Sequence, residues 1–269
     1  PGVRDEKRHT LNDPAAPSAA SDGSNVYVFF AGYGLLSYTS DGRERWRHPL
    51  GPFANFHGMG ASPLWADGRV FLICDQDQGA FLLAVDASTG KTVWKTDRPD
   101  MVHSFSTPVV YRNQIIVPGS YQMSSYEMAT GKEIWKVRGL TYQVKSTPVI
   151  HGDRLYFNGW APGGEPSERL VLPDFEEMIA KFDKDGDKKL SKAEIPKEWT
   201  PGNWDMQDVN KDGVYDGRDW RVYQMRRTST NAAMAVRLDG KGDVTETHVL
   251  WRYQKSLPDV PGVLLYRDV

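Results

Sequence analysis

Two acidic stretches of twelve residues, 183–194 and 208–219, read DKDGDKKLSKAE and DVNKDGVYDGRD. A hard divalent cation takes six to eight oxygen ligands. One loop supplies them when oxygens recur at positions 1, 3, 5, 7, 9 and 12. In the first loop these are Asp183, Asp185, Asp187, the backbone carbonyl of Lys189, Ser191 and Glu194. In the second they are Asp208, Asn210, Asp212, the carbonyl of Val214, Asp216 and Asp219. Each loop gathers four carboxylates, whose mutual repulsion calls for a cation. Polar surface turns use the same residue types, but two such loops starting 25 residues apart point to metal binding.

The flanks supply elements that could hold the loops. Phe175, Met178, Ile179 and Phe182 recur at i, i+3, i+4 and i+7, the apolar stripe of a short helix. Pro173 and Asp174 stand where that helix would start. Trp220, Tyr223 and Arg227 continue a second helix after the second loop. Leu190 and Tyr215 both fall at position 8, where paired loops touch. The arrangement resembles an EF-hand pair, with two departures. Position 6 normally holds Gly because the chain turns sharply there; Gly213 fits, but Lys188 replaces it in the first loop. Asp219 stands where Glu is usual, and its shorter side chain makes bidentate capture harder. The first loop is therefore expected to prefer Ca²⁺, and the second to admit Mg²⁺ as well.

The rest of the chain is repetitive. A Ser/Thr-Pro phrase followed by a turn and an alternating strand appears as ASPLWADGRVFLI, STPVVYRNQIIVPG and STPVIHGDRLYFNG, with a weaker copy from Ser18. Each is followed by an apolar strand, a Gly-bearing turn and a strand ending in Trp46, Trp94, Trp135 or Trp251. Pro63, Pro108 and Pro148 are spaced 45 and 40 residues apart, and the first three Trp 48 and 41. Four short strands per 40–50 residues is the signature of a propeller blade. A β-sandwich also has many short strands but does not repeat a Trp-terminated unit. Equivalent positions in successive repeats assign the four Trp to blade-to-blade packing rather than to a cofactor.

The repeat AxDxxTGxxxW, matched best over 84–94, resembles the pyrroloquinoline-quinone-type (PQQ-like) β-propeller repeat. The resemblance covers nearly all of 18–160 and 230–269, and implies an all-β propeller protein of the bacterial extracytoplasmic kind, periplasmic or secreted. Such propellers usually have seven or eight blades. Four are legible here, with the opening of a fifth from Val260, so the chain is expected to be a fragment. It begins Pro-Gly-Val-Arg, without initiator Met or signal peptide, as a processed or truncated piece would. Residues 1–17 form a lead-in, and 18–160 hold the first three blades and half of the fourth. The step from Trp135 to Trp251 is 116 residues, about 70 too long, which places an insertion at 161–229 carrying both acidic loops. Residues 230–269 complete the fourth blade and start the fifth. The insertion falls between the blade's second strand (154–158) and its third (232–236), so it is expected to overhang one mouth of the central channel.

Loops on that face would bring together Phe53, Phe56, His57, Asp75, Asp77, Asp100, His103, Phe105, Tyr142, Lys145 and Trp160. Such groups suit a polar ligand, a sugar or a peptide, or simply bond neighbouring blades. With 33 basic and 35 acidic residues, nothing suggests a nucleic-acid partner. No apolar run reaches the ~18 residues of a membrane span. Cys74 is the sole cysteine, so no internal disulfide forms. GxSxG, HExxH and CxxCH are all missing. Three functions compete. The first is a non-catalytic scaffold offering its funnel to a protein or polysaccharide, with a calcium-stiffened lid. The second is a PQQ-dependent quinoprotein dehydrogenase, which the resemblance implies. In many alcohol-oxidising members adjacent cysteines lie beside the quinone; Cys74 has no partner, and PQQ is not expected. The third is a hydrolase or lyase using Asp75 and Asp77.

Overall fold

The computed structural model describes residues 9–10, 12–13, 15–55, 57–165 and 169–267. Four sheets, each built on four antiparallel strands, follow one another along the chain. The first holds β1 (Ala20–Ser21), β2 (Asn25–Phe30), β3 (Gly34–Thr39) and β4 (Glu44–His48). The second holds β5 (Leu64–Ala66), β6 (Arg69–Cys74), β7 (Phe81–Asp86) and β8 (Thr92–Asp97). The third holds β9 (Val109–Tyr111), β10 (Gln114–Pro118), β11 (Gln122–Glu127) and β12 (Glu133–Arg138). The fourth begins with β13 (Val149–His151) and β14 (Arg154–Gly159). Three helices follow: α1 (Phe175–Phe182), α2 (Trp204–Gln207) and α3 (Gly217–Thr228). The sheet then resumes with β15 (Ala232–Arg237) and closes with β17 (Val249–Tyr253). Between them β16 (Gly242–Asp243) pairs in parallel with β12 of the preceding blade.

Successive strand residues point to opposite faces, and here both faces are apolar. Val70, Leu72 and Cys74 meet Tyr27, Phe29 and Leu35 of the first sheet. Phe71 and Ile73, one residue out of phase, meet Ile115 and Val117 of the third. Ile116 and Met123 in turn meet Leu155, Phe157 and Met234 of the fourth. Three cores therefore lie between consecutive sheets. A sandwich would bury one face of each sheet; here an inner sheet is covered on both.

The repeated phrases have physical roles. Ser106 Oγ donates to the Ser146 carbonyl at 2.7 Å, and the Ser18 amide donates to Ser62 Oγ at 2.9 Å. The Ser/Thr-Pro phrases thus link the openings of neighbouring blades. In all four sheets the register shifts between the third and fourth strands just after the residue paired with Trp: Ser37, Ala84, Ser125 and Ala235. A bulge there raises the local twist beside each Trp. Trp46 Nε1 donates to the Ala87 carbonyl of the next blade, and Trp94 Nε1 to that of Met128. Each indole lies over the Gly of the following Thr-Gly turn: a Cβ on Gly90 would come within 2.6 Å of Trp46, and one on Gly131 within 2.5 Å of Trp94.

Two expectations change. Trp135 is fully buried, but Trp251, in the last strand, is 47% exposed and lies beside Tyr156 of its own sheet. The packing role holds where a following blade is present. Residues 260–267, expected to open a fifth blade, form no strand. The segment instead runs beside the start of blade four, where Asn158 Nδ2 donates to the Pro261 carbonyl and Lys145 pairs with Asp259. A strand needs a hydrogen-bonded neighbour, and the described residues supply none there.

Candidate functional site

The insertion has its own small core. Met178 of α1, Leu190, Ile195, Tyr215 and Trp220 are buried together, with Phe175, Phe182 and Trp199 packed around them. Pro196 and Pro201 cut short any helix after the first acidic loop, and only four-residue α2 precedes the second. The two loops therefore sit close. Leu190 and Tyr215 exchange both backbone hydrogen bonds at 2.9 Å, the expected contact at position 8. Tyr215 stacks on Trp204 with centroids 4.0 Å apart.

Within each loop the same bonds recur at equivalent positions. The position 1 carboxylate accepts from the position 6 amide, Asp183 from Lys188 and Asp208 from Gly213. The position 12 carboxylate accepts from positions 2 and 9: Glu194 from Lys184 and Ser191, Asp219 from Val209 and Asp216. Position 6 is left-handed in both, with φ of +62° at Lys188 and +91° at Gly213. Lys188 adopts the turn that glycine would, at a cost of roughly 1–2 kcal/mol. The ligand oxygens of Asp183, Asp185 and Asp187 lie within 4.8 Å of one another. This donor set, all oxygen and anionic, fits a hard cation.

The loops differ in surroundings. Asp185 and Asp187 are exposed, whereas Asp208 and Asp219 are 3% and 1% exposed. Backbone amides and Ser191 hold the Glu194 carboxyl down at about 2. Burial pushes Asp219 up to about 6, against the pull of its two backbone hydrogen bonds. Asp216 caps α3, and Asp219 completes a capping box, so the last ligand positions also start the helix.

Several contributors were invisible as sequence. Lys189, expected to offer only its carbonyl, extends Nζ to Asp212 of the other loop at 2.7 Å. This holds the Asp212 carboxyl below its ordinary range. Arg218 Nε donates to the Pro99 carbonyl at 2.9 Å and Nη2 to that of Met101 at 3.2 Å. Arg221 pairs with Asp100 at 2.9 Å, and Gln78 Nε2 donates to the Asn210 carbonyl at 3.4 Å. The second loop and α3 thus rest on the connection between blades two and three. The clue was the charge pattern of α3, but its partner lies over a hundred residues away.

The loop residues suspected of chemistry converge in part. His103 Nδ1 lies 2.6 Å from Asp77 Oδ1, and its Nε2 lies 2.9 Å from the Tyr142 hydroxyl. Gln143 Nε2 lies 3.2 Å from Nε2 of both His57 and His103. Phe105 meets both imidazoles, and Arg226 of α3 lies 4.4 Å from the centre of the Tyr142 ring. Phe53 belongs to the apolar core, edge-on to Phe29. Phe56 lies outside the described residues. Asp75 and Asp77 do not act as a pair. Asp75 is buried in a bidentate ion pair with Arg98, at 2.7 and 3.0 Å, and accepts from Ser104. Asp77 is held by His103. A buried, fully bonded carboxylate is committed to structure, and this removes the reason for assigning Asp75 catalysis.

Among curated proteins no relative matches. The chain is similar to BamB from Moraxella catarrhalis at 18% identity and TM-score 0.42, over 51% of this chain and 44% of that one. It is similar to a quinohemoprotein alcohol dehydrogenase from Pseudomonas putida HK5 at 12% identity and TM-score 0.54, over 96% and 36%. A quinohemoprotein alcohol dehydrogenase from Comamonas testosteroni matches at 15% identity and TM-score 0.45, over 94% and 36%. The chain thus spans 36% to 44% of the length of these structures. The Pseudomonas likeness shows the fold, a PQQ-type β-propeller. Residues 7–159 and 82–264 match one family description. Together with blades that repeat in register, these matches show that the chain belongs to the family of the outer membrane protein assembly factor BamB.

Proposed function

We propose that this is a calcium-binding, non-catalytic propeller scaffold of an extracytoplasmic compartment, presenting its funnel to a protein or polymer ligand. The observation that carries it is the paired acidic loops, whose equivalent carboxylates make equivalent bonds, with the oxygens of Asp183, Asp185 and Asp187 within 4.8 Å of one another in the first. Asp183, Asp185, Asp187, Ser191, Glu194 and the Lys189 carbonyl would hold one ion. Asp208, Asn210, Asp212, Asp216, Asp219 and the Val214 carbonyl would hold the other, with Mg²⁺ competing better there. The grouping resembles an EF-hand pair reduced to its loops, which favours a structural over a sensing role. No described helix is long and apolar enough to cross a membrane. Family membership supports an extracytoplasmic setting and a protein partner.

The test is calorimetric titration of the chain with Ca²⁺ and Mg²⁺, alongside thermal unfolding. Binding heat and a raised Tm are expected; neither appearing at millimolar Ca²⁺ would remove the reading. Dye reduction after reconstitution with the quinone and calcium would overturn its non-catalytic part.

A further inference from the structure

The junction of His57, His103, Asp77, Tyr142 and Gln143 is built from four different loops and borders the second acidic loop, whose Val209 packs in one cluster with Tyr142. Its donors are nitrogen rather than oxygen. His103 Nδ1 lies against the Asp77 carboxylate, and its Nε2 faces Gln143 and Tyr142. Gln143 Nε2, an amide donor, lies 3.2 Å from the Nε2 of each imidazole. Two acceptor nitrogens from different interblade loops therefore aim at one point.

That point has the geometry of an ion. Two imidazoles on one tetrahedral zinc, with Zn–N near 2.0–2.1 Å, place their ring centres roughly 5 Å apart. The His57 and His103 centroids are 5.6 Å apart, with planes inclined by 60°. Replacing the Gln143 amide by a metal asks each nitrogen to close by only about 1 Å. A carboxylate on the far nitrogen of a ligating histidine fixes its tautomer and raises its basicity, and Asp77 holds that place. His9 lies next in line, its ring 5.3 Å from that of His57.

We propose that this junction is a second metal site, selective for a borderline transition ion of the Zn²⁺ class. Nε2 of His57 and His103 are the ligands, Asp77 positions His103, and the Gln143 amide and the Tyr142 hydroxyl are the groups displaced. Imidazole suits zinc, copper and nickel, whereas calcium takes oxygen, so the junction and the acidic loops load independently. Binding is plain coordination by the two imidazole nitrogens.

The experiment titrates the chain with Zn²⁺ in millimolar Ca²⁺, which saturates oxygen sites, and repeats it with Co²⁺ read by visible absorption. One equivalent of Zn²⁺ is expected, with tetrahedral cobalt bands. His57→Ala and His103→Ala should each weaken binding at least tenfold, and Asp77→Asn by about 10–100-fold. Gln143→Ala vacates the point and should leave affinity unchanged or tighter, which a role confined to hydrogen bonding does not foresee. His151→Ala, in β13, is the control and should change nothing. Should the histidine variants misfold, cobalt-induced shifts of the His57 and His103 ring protons in the unmutated chain decide the matter. No Zn²⁺ uptake, undiminished uptake by folded His57→Ala, or unshifted ring protons would each overturn the proposal.

Discussion

The loops at 183–194 and 208–219 share one hydrogen-bond plan but live in different surroundings. The first lies mostly in solvent, holds its position 6 turn with a lysine, and keeps Glu194 strongly acidic. The second is buried at both ends, takes a glycine at the turn, and runs into a helix clamped to the propeller by Arg218 and Arg221. One plan thus yields a loop set in solvent and another set against the blade beneath it.

The strongest way to break the comparison is to remove what the loops share. Tyr215→Ala deletes a fully buried ring at the bridge between them and should cost about 3–5 kcal/mol. Both loops should then lose Ca²⁺ together while the blades still unfold near their usual temperature. Survival of one binding heat would show the loops to be independent.

Undocking the second loop is the next largest change. Arg218→Ala with Arg221→Ala removes two charged hydrogen bonds to carbonyls and one exposed ion pair, worth about 2–4 kcal/mol together. Hydrogen exchange of residues 99–103 should quicken, and Ca²⁺ affinity should fall at the second loop alone. Equal loss at both loops would dissolve the distinction.

Acid should separate the loops without mutation. Asp219, at about 6 in the fold and ordinarily 3.8, keeps its proton longer when folded than when unfolded. The ion-free fold therefore loses stability as pH rises from about 4 to 6, because the unfolded chain ionises first. A cation needs the carboxylate, so affinity at the second loop should fall about tenfold per pH unit below 6. Glu194, at about 2, predicts a flat profile for the first loop over the same range. Calorimetry at pH 7, 6 and 5 checks both slopes.

Smaller effects sharpen the contrast. Lys188→Gly relieves a left-handed side chain and should stabilise the first loop by about 1 kcal/mol, roughly a fivefold gain in Ca²⁺ affinity. Lys189→Met frees Asp212 from a half-exposed pair worth about 0.2–1 kcal/mol. It should tighten the second loop slightly at low salt and not at high salt. Titrations at two ionic strengths read the difference.

Much of this was legible in the chain because it depends on local spacing. The Trp-ended repeats, the insertion between the second and third strands of blade four, the α1 stripe and the Leu190–Tyr215 contact all follow from periodicities of two, 3.6 or about 45 residues. Those periods are set by strand pleat, helix pitch and blade size, and each is written into every copy. Tertiary structure alone decided which carboxylates were free. Asp75 and Asp77 look alike in sequence, yet Arg98 claims one and His103 the other. Lys189 crosses to Asp212, and Arg218 reaches Pro99 from 119 residues away. A charge finds its partner by distance in space, and the summed turns of many loops set that distance, which no local pattern of residues encodes.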